Sequence, residues 1–443
     1  MLSINSIANL FSNQQFKCES YEYDDVTEEK TFLVDSIQET QAVRCPCCKG
    51  KVHIQDNPTT TLKDMPDEPS KIKAINVRFH RYECQKCGNT FNEDIGFKYP
   101  GTRVTQRAAI WIKALLRLNM TIKAVSKLTG IHWGTISKIH KELMEEELKK
   151  RKAKLKADGY RPKHLAVDEF AIHKGHTYAT CVMDLDEGDV LWVGKGRAKE
   201  DFRKFFEEID LEYLCEVEAV AMDMNASYNR LVEQYLPHVS IVYDRYHMQA
   251  QFGKDVLGSV RLEEARRHQK LAKDIESRIT EDMDKAEINE IRREAKAERK
   301  LYRKLKRSRW TILRNSSNLS EDTAENLADI LEDHEALSVC YAMKEEMCGL
   351  FELRDPVLAE MMWEDWFSAA KESGIPQLEK FARLKEKRIK GLIAHATHPI
   401  STGKLEGFNN KIKVAKRIGY GYRNDEYFFT LVRYSSLPQN RND

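Results

Sequence analysis

Residues 164–196 read HLAVDEFAIHKGHTYATCVMDLDEGDVLWVGKG, and they contain three apolar runs of strand length joined by short polar turns. The second turn, Asp186-Glu187-Gly188, has the residue types of a tight connection. Residues 197–244 then alternate between helical and strand patterns, in the order KEDFRKFFEEI, EVEAVAMD, ASYNRLVEQYL and VSIVYD. Three tightly joined strands followed by alternating helices and strands predict a mixed sheet with flanking helices, which is an α/β fold.

The length and composition of the chain exclude two broad classes of protein. The 443 residues suggest about three domains, and 41% hydrophobic with 32% charged residues exclude a wholly disordered chain. No apolar run approaches the roughly 18 residues that span a bilayer, and the start of the chain lacks the basic and hydrophobic segments of a signal peptide. We therefore expect a soluble cytoplasmic protein without a membrane partner.

The net charge of +2 averages over blocks of opposite sign. Residues 321–372 hold 15 acidic and 3 basic side chains, whereas residues 296–314 hold 9 basic and 1 acidic, and residues 385–423 hold 10 basic and 2 acidic. Such blocks are usually solvated helix faces. Basic stretches kept apart from an acidic one are also typical of a protein that binds phosphate chains, and composition alone leaves both interpretations open.

Ten cysteines include two close pairs with the spacing of a metal site, which favours a reducing compartment over a disulfide framework. The four predicted zinc ligands are Cys45, Cys48, Cys84 and Cys87. Two Cys-x-x-Cys knuckles can complete a closed tetrahedral shell, which favours a structural zinc over redox catalysis. Cys47 could replace Cys48 as a ligand. His53 and His80 are further substitutes, and four unrelated buried thiols are the alternative.

Residues 121–143, TIKAVSKLTGIHWGTISKIHKEL, contain two helical patterns that meet at Gly130. The predicted inward positions are Val125, Leu128, Ile131, Ile136, Ile139 and Leu143. This pattern is typical of a helix-turn-helix, whose second helix enters the DNA major groove. The predicted DNA contacts on that helix are Thr135, Ser137, Lys138 and Lys141. An ordinary helical hairpin has the same apolar pattern, but the adjacent zinc module and the basic tail favour DNA binding.

Two aspartates lie on apolar strands. Asp168 lies inside HLAVDEF, and Asp223 ends EAVAMD. A buried carboxylate is costly without a cation or hydrogen-bond donors, so two of them on neighbouring strands predict oxygen ligands for Mg²⁺. Strand alternation directs Glu169 to the opposite face, outside the predicted site. The alternative is that each aspartate merely ends a strand.

A third acidic ligand is predicted in the basic C-terminal stretch. Residues 385–423 contain only two acidic side chains, and Glu406 is the one within the amphipathic helical pattern STGKLEGFNNKIKVAKR. Leu405, Phe408 and Ile412 form the predicted buried side of this helix. Lysines surround the carboxylate, an arrangement suited to holding a metal ion and a phosphodiester together. Surface ion pairs with those lysines are the alternative.

Five strings carry a family resemblance: CPCC…CQKCGNTF, AVDEFAIHKGHTY, AMDMNASY, YDRYHM and KLEGFNNKIKVAKRIGYGYRN. Over residues 41–436 they resemble the DDE transposases of the ISL3 family of bacterial insertion sequences. The resemblance implies an RNase H-like catalytic core interrupted by an all-helical insertion, after a zinc-ribbon-like module and a helix-turn-helix. It also implies a catalytic triad of Asp168, Asp223 and Glu406. Lys49 departs from the family's first knuckle, where glycine is usual.

By the same resemblance, Asp244 and His247 lie beside the active site, and Trp310 corresponds to a tryptophan used near a flipped base. The implied chemistry is phosphoryl transfer in DNA with two Mg²⁺ or Mn²⁺ ions about 3.5–4 Å apart, bridged by Asp168. The predicted DNA contacts outside the helix-turn-helix are Arg303, Lys304, Arg307, Trp310, Lys411, Lys413, Lys416 and Arg417. The implied partners are the terminal inverted repeats and target DNA, bound by a homodimer or larger oligomer at the bacterial nucleoid.

The predicted division of the chain has seven parts. They are an N-terminal arm (1–40), a zinc-binding module (41–100), a helix-turn-helix domain (101–148), a charged linker (149–163), the first part of the RNase H-like core (164–254), a helical insertion (255–392) and the C-terminal part of the core with Glu406 and the basic helix (393–443). The arm is polar without a clear period, so we expect it to be loosely structured. Two other functions stay open: a DNA-binding regulator without catalysis, and a structure-specific nuclease with the same core.

Overall fold

The structure is a computed structural model that describes residues 12–440 except 14, 27–28, 66–72, 174, 176 and 420. The chain divides into two compact units, one of residues 1–157 with 414–443 and one of residues 158–413. Among the described residues, no helix combines the length and the apolar character needed to cross a membrane. The predicted mixture of sheets and many helices is confirmed.

The first unit contains two small sheets. The four-stranded sheet has the order β1-β2-β5-β4 and consists of β1 Phe16–Asp24, β2 Glu29–Ser36, β4 Thr59–Asp64 and β5 Lys73–Arg78. The three-stranded sheet has the order β3-β6-β7 and consists of β3 Val52–Asp56, β6 Arg81–Cys84 and β7 Thr90–Asn92. Only β2 and β5 pair in parallel among these strands.

The prediction of a loosely structured N-terminal arm is wrong for the described residues that form β1 and β2. Phe16, Phe32 and Val34 are buried in the core of the four-stranded sheet. In β1 only Phe16 is fully buried, so the strand lacks the alternation of a half-buried strand. Its pairing with β2 therefore has no signal in the local sequence of β1.

The first unit also includes helices α1 Gln106–Arg117, α2 Ile122–Thr129 and α3 Trp133–Ala157. Gly130 ends α2 with a φ of +61°, a left-handed conformation that glycine adopts without strain. The predicted inward positions of the two helices are buried except Leu128, which is 37% exposed. Leu128 is turned outward because Thr129 continues the buried face of α2, with its hydroxyl donating to the carbonyl of Val125.

Helix α3 also replaces much of the predicted charged linker, because it continues without a break to Ala157. The stretch is rich in Lys and Arg, which have high helix propensity, and Lys150 pairs with Glu146 one turn earlier at 3.0 Å. Gly159, with a φ of +66°, lies in the turn that follows. The connection between α3 and β8 is therefore limited to residues 158–163.

The second unit contains a five-stranded mixed sheet of order β10-β9-β8-β11-β12. Its strands are β8 His164–His173, β9 Thr177–Asp184, β10 Val190–Lys195, β11 Ala219–Met222 and β12 Ser240–Tyr243. Strands β8, β9 and β10 form an antiparallel meander, and β11 and β12 continue parallel to β8. Helices α4 Lys199–Glu208 and α5 Ala226–Tyr235 supply Phe202, Phe205 and Leu231 to the core beside the sheet.

After β12 the described chain is helical up to residue 397, as its low Gly and Pro content predicts. The helices are α6 Arg245–Phe252, α7 Gly258–Glu276, α8 Lys285–Arg307, α9 Arg309–Leu313, α10 Glu321–Glu332, α11 Glu335–Leu350, α12 Pro356–Glu372, α13 Pro376–Glu386 and α14 Ile389–Thr397. A π-helical segment, Gly253–Leu257, joins α6 to α7. Trp363, Trp366 and Phe381 belong to the buried core of these helices.

Two helices complete the described chain, α15 Gly403–Ile418 and α16 Asp425–Ser435. The boundary between the two units falls within α15, and α16 packs against α3 in the first unit. Of the predicted buried side of α15, Leu405 and Ile412 are buried and Phe408 is half-buried. Short 3₁₀ turns lie at Thr40–Ala42, Leu211–Leu214, Ser316–Asn318 and Pro438–Asn440.

Candidate active site

Three aspartates lie at one level of the parallel strands in the second unit. Asp168 lies within β8, whereas Asp223 and Asp244 directly follow β11 and β12. If the pairing of β11 with β8 is continued by two residues, Asp223 lies opposite Asp168. If the pairing of β11 with β12 is continued by one residue, Asp223 lies opposite Asp244. Adjacent strands are about 4.8 Å apart, so the sheet itself gathers these carboxylates.

His247 of α6 lies between two of the predicted ligands. Its Nδ1 is 2.8 Å from Oδ1 of Asp223, and its Nε2 is 3.4 Å from Oε1 of Glu406. The hydrogen bond to Asp223 raises the pKa of His247 to about 9, against the opposing effect of partial burial. The ring is therefore an imidazolium at neutral pH. It links the end of β11, which Asp223 follows, to α15, which carries Glu406.

Asp168 contacts a side chain of α15, the helix that carries Glu406. Asn409 donates from Nδ2 to Oδ2 of Asp168 at 2.7 Å, and the backbone N–H of Glu169 donates to Oδ1 at 2.7 Å. Burial raises the pKa of Asp168 to about 6, and the charges of Asp223 and Glu406 add to this effect. The Oδ1 of Asn409 is buried without a hydrogen-bond partner.

Asp244 connects the two helices that carry His247 and Glu406. Its Oδ1 accepts from the backbone N–H groups of Tyr246 and His247 at 2.8 and 3.2 Å, so it caps α6. Its Oδ2 accepts from the backbone N–H and the hydroxyl of Thr402 at 2.8 and 2.6 Å. Burial opposes ionisation, but the bonds from Thr402 and His247 hold the pKa of Asp244 below its usual value.

The three predicted metal ligands are connected through His247, which contacts Asp223 and Glu406, and through Asn409, which contacts Asp168. Within the described residues, their carboxylate oxygens do not form a set in which all three lie within 4.8 Å of one another. The carboxylates of Asp168, Asp223 and Glu406 thus surround one region without forming a closed cage. Carboxylate and amide oxygens are the donors that Mg²⁺ prefers, and the unpartnered Oδ1 of Asn409 adds another. The donor set therefore fits the implied divalent ions.

Sequence reasoning missed Asn409 and Thr402. Asn409 lies three residues after Glu406, so the helical period places both on one face of α15. That spacing was the available signal. Thr402 precedes α15 and its carbonyl accepts from the N–H of Glu406 at 2.8 Å, as a residue that begins a helix does.

Strand alternation predicts that Glu169 lies on the face opposite Asp168, outside the site. It is half-buried, and burial raises its pKa, with the charge of Asp223 adding to the effect. The hydroxyl of Tyr228 and the charge of Arg197 oppose that rise. Glu169 is thus within electrostatic reach of Asp223, although it has its own partners.

Comparison with known proteins gives the family. A family model described as a transposase, that of the ISL3-type DDE enzymes, matches residues 165–432. The chain belongs to the ISL3 family of transposases. It is 31% identical over 397 residues, or 89% of each chain, to the transposase for insertion sequence element IS1001 of Bordetella parapertussis. It is 26% identical over 329 residues to the transposase for IS1557 of Mycobacterium tuberculosis, over 70% of this chain and 67% of the relative. The predicted family is confirmed.

The transposase gathers four cysteines at the predicted zinc site in its first unit. The Sγ of Cys48 is 3.5 Å from that of Cys84 and 3.4 Å from that of Cys87, and Cys45 is 3.7 Å from Cys87. A tetrahedral shell with bonds of about 2.3 Å spaces its sulfurs by about 3.8 Å, so the cluster fits a zinc ion. Backbone N–H groups of Cys87 and Lys86 lower the pKa of Cys84 to about 6, which favours the thiolate that a metal requires.

The candidate substitutes lie outside this cluster. Cys47 is exposed, and the four sulfurs that converge belong to Cys45, Cys48, Cys84 and Cys87. His53 is 3.5 Å from Glu83, and His80 is 2.6 Å from Asn57. The geometry therefore favours Cys48 over Cys47 as the ligand from the first knuckle.

The two knuckles turn in the same way. Lys49 has a φ of +59° and Gly88 a φ of +67°. The N–H of Lys49 donates to the carbonyl of Cys45 at 2.9 Å, and that of Gly88 donates to the carbonyl of Cys84 at 3.0 Å. Lys49 thus adopts the left-handed conformation of the usual glycine, at a cost of about 1 kcal/mol, and the shape of the knuckle is kept.

The predicted DNA contacts of the helix-turn-helix lie on α3. Lys138 is exposed, and Thr135, Ser137 and Lys141 are half-buried. Lys141 donates from Nζ to Glu426 of α16 at 2.9 Å, and this bond raises the pKa of Lys141. Its charge is therefore partly neutralised within the first unit.

The other predicted DNA contacts lie on α8, α9 and α15 of the transposase. The exposed members are Arg303, Arg307, Trp310, Lys413 and Arg417, and the half-buried members are Lys304, Lys411 and Lys416. Lys304 pairs with Asp329 at 3.4 Å. Most of the basic residues therefore remain accessible to a phosphate chain.

Trp310 lines a cavity of about 530 Å³ in the second unit. Trp310 is 69% exposed, and the guanidinium of Arg309 lies 5.2 Å from the centroid of its ring. Tyr246, the residue before His247, lines the same cavity and is 62% exposed. Two exposed aromatic rings and a basic side chain thus border one cavity whose wall adjoins the helix of His247.

Proposed function

We propose that this transposase cleaves and joins DNA strands at Asp168, Asp223 and Glu406 on an RNase H-like core. The observation that carries the proposal is the position of His247, with Asp223 on one ring nitrogen and Glu406 on the other. The hydrogen bond from Asn409 links the carboxylate of Asp168 to α15, the helix that carries Glu406. A three-stranded antiparallel meander continued by two parallel strands, with the acidic residue on the central strand, supports the RNase H-like assignment.

Each side chain has a role that follows from its contacts. The carboxylates would hold two Mg²⁺ or Mn²⁺ ions, which when bound activate the attacking oxygen and stabilise the leaving oxygen. Asn409 and the N–H of Glu169 orient the carboxylate of Asp168. His247, whose pKa is raised, lies between the carboxylates of Asp223 and Glu406 and offsets their negative charges. Asp244 positions α6 and the start of α15 together.

DNA binding is assigned to three surfaces. The cysteine cluster, with a structural zinc, and the helix-turn-helix would bind the terminal inverted repeats, with the second helix, α3, in the major groove. The basic residues of α8 and α15 would bind phosphates, and affinity should fall steeply as salt rises. Trp310, beside the cavity that it shares with Tyr246, is suited to stacking on an unpaired base. Two element ends must meet, so a homodimer or larger assembly is expected.

The proposal is tested with purified transposase, labelled duplexes that carry the element ends, and an unlabelled target duplex. In Mg²⁺ or Mn²⁺ we expect strand cleavage at the element ends and labelled products joined to the target, and neither in a chelator. Cleavage without joined products would favour a structure-specific nuclease. Binding to the ends without cleavage under any metal condition would favour a regulator and overturn the catalytic assignment.

A further inference from the structure

Away from the candidate active site, two histidines face each other inside the helical part of the second unit. His268 lies on α7, and His334 lies between α10 and α11; they are 6% and 3% exposed. Their Nε2 atoms are 2.9 Å apart, and the rings are nearly perpendicular at 75°. A buried contact between two imidazoles at this distance needs a proton or another cation.

The second nitrogen of each ring is already engaged. The Nδ1 of His334 is 2.7 Å from the carbonyl oxygen of Ile330, and the Nδ1 of His268 is 2.5 Å from Oε2 of Glu298. A carbonyl and a carboxylate accept hydrogen bonds, so both Nδ1 atoms carry the protons. In the neutral rings, both Nε2 atoms then direct lone pairs at each other.

A carboxylate completes the group. Glu264 lies one turn before His268 on α7, and its Oε2 is buried without a hydrogen-bond partner. The Nε of Arg267 lies 3.5 Å from this oxygen and forms an ion pair with it. One oxygen of Glu264 and one nitrogen of each histidine all lie within 4.8 Å of one another. A proton shared between the two rings would leave the buried Oε2 of Glu264 without a hydrogen-bond donor, whereas a metal ion would satisfy all three groups.

We propose that Glu264, His268 and His334 bind a divalent metal ion of the zinc class. Two imidazole nitrogens and a carboxylate oxygen are donors that suit zinc. The outer contacts also match, because metal-bound histidines commonly donate their other N–H to a carboxylate or a backbone carbonyl. Bonds of about 2.0–2.1 Å separate two tetrahedral nitrogens by about 3.3 Å, so a shift of a few tenths of an ångström admits the ion.

The ion would have a structural role. It joins α7 to the connection between α10 and α11, and Glu298 extends the network to α8. Helix α8 carries Arg303, Lys304 and Arg307 near its C-terminal end. The metal would thus fix the helices that present these basic residues, and it uses none of the proposed catalytic carboxylates.

The test counts zinc in the full-length chain carrying Asp168→Asn, so that the proposed catalytic site contributes less to binding. After treatment with a chelator, the protein is titrated with Zn²⁺ against a competing chromophoric chelator, and bound metal is measured by mass spectrometry. We expect two ions in this parent and one after Cys84→Ser. Adding Glu264→Gln, which keeps the side-chain shape, should weaken the remaining site at least about tenfold.

The matched control is His398→Asn. His398 belongs to another His–Glu group, with His164 and Glu218. This group lies where β8 and β11 begin, at the other end of these strands from the aspartates, and its members are less buried. The control should leave the zinc count unchanged. If His398→Asn removes the second ion and Glu264→Gln does not, the ion lies at that other group and the proposal is overturned.

Cobalt provides a second measurement that does not require the cysteine variant to fold. The cysteine cluster should give thiolate-to-cobalt charge-transfer bands, and the histidine site should add weaker visible bands that disappear in His334→Gln. If the parent chain binds metal only at the cysteines, the proposal is overturned. The same holds if folded Glu264→Gln and His334→Gln chains bind as the parent does, and a shared proton then accounts for the histidine pair.

Discussion

Asn409 donates a hydrogen bond from Nδ2 to Oδ2 of Asp168 at 2.7 Å, across 241 positions of sequence. The bond joins the central strand of the five-stranded sheet to α15, which follows the whole helical stretch. Asp168 is also the carboxylate whose pKa burial raises to about 6. The orientation of this proposed ligand therefore depends on how the last part of the second unit docks on the sheet.

Asn409→Ala should lower the cleavage rate about 10- to 100-fold, because a residue that orients a metal ligand typically has an effect of this size. Binding to element ends should be unchanged, and the Mg²⁺ concentration for half-maximal cleavage should rise. The control is Asn410→Ala, which changes an exposed neighbour that accepts from Lys413 at 3.0 Å. Equal cleavage by both variants would remove the positioning role of Asn409.

Asp168→Asn should abolish cleavage and strand transfer while element ends are still bound, because the amide keeps the shape but loses the charge needed for divalent ions. Gel shift and cleavage are measured on the same labelled duplexes. Asp365→Asn, at an exposed carboxylate of α12, should leave both activities unchanged. A cleaving Asp168→Asn protein would contradict the metal assignment.

The five-stranded sheet could be predicted because its signals are local. The strand runs, the glycine turn at Gly188 and the two intervening helical patterns each occur within a few residues, and the structure follows them. Asp168, Asp223 and Glu406 could be selected because a carboxylate in an apolar strand, or alone among lysines, conflicts with its surroundings. That these three residues come together could be predicted only from the family resemblance, because the spacing in the sequence does not show that Glu406 reaches the sheet.

Other features depend on partners far away in the sequence. Strand β1 buries little beyond Phe16, and it exists through its pairing with β2. The role of Asn409 depends on where α15 docks, and the facing pair of His268 and His334 depends on the packing of separate helices. The local spacing places Asn409 on the same helix face as Glu406, but no local pattern shows where that face docks or which two histidines meet.

Thr402→Val should destabilise the second unit by about 2 kcal/mol, because Asp244 loses a buried hydroxyl donor at 2.6 Å while the side-chain volume is kept. Cleavage should fall as well, since Glu406 lies four residues later at the start of the same helix. Thermal unfolding and cleavage are compared with Thr397→Val, the same substitution at an exposed position. A stable and fully active Thr402→Val protein would mean that Asp244 does not position α15.

Cys84→Ser should release the zinc of the first unit, whereas Cys47→Ser should retain it. Cys84 contributes a sulfur 3.5 Å from that of Cys48, while Cys47 is exposed outside the cluster. Zinc content is measured by mass spectrometry, and binding to element ends by gel shift. The reverse result, with metal lost only from the Cys47 variant, would assign the first knuckle differently.

His140 makes the first unit sensitive to acid. It lies on α3, its Nδ1 is 2.6 Å from the hydroxyl of Tyr427 on α16, and Tyr434 packs against its ring. Burial lowers the pKa of His140 from 6.5 to about 4. The unfolded chain therefore binds a proton between these values that the folded chain does not, so this contribution is complete above pH 6.5 and is lost as the pH falls towards 4. The loss approaches about 3 kcal/mol, the equivalent of the pKa difference.

Relative to the parent, His140→Gln should flatten the fall in melting temperature between pH 7 and pH 4.5, whereas His132→Gln, at an exposed histidine, should not. Parallel curves for the parent and His140→Gln would show that this histidine does not set the acid limit of the packing between α3 and α16.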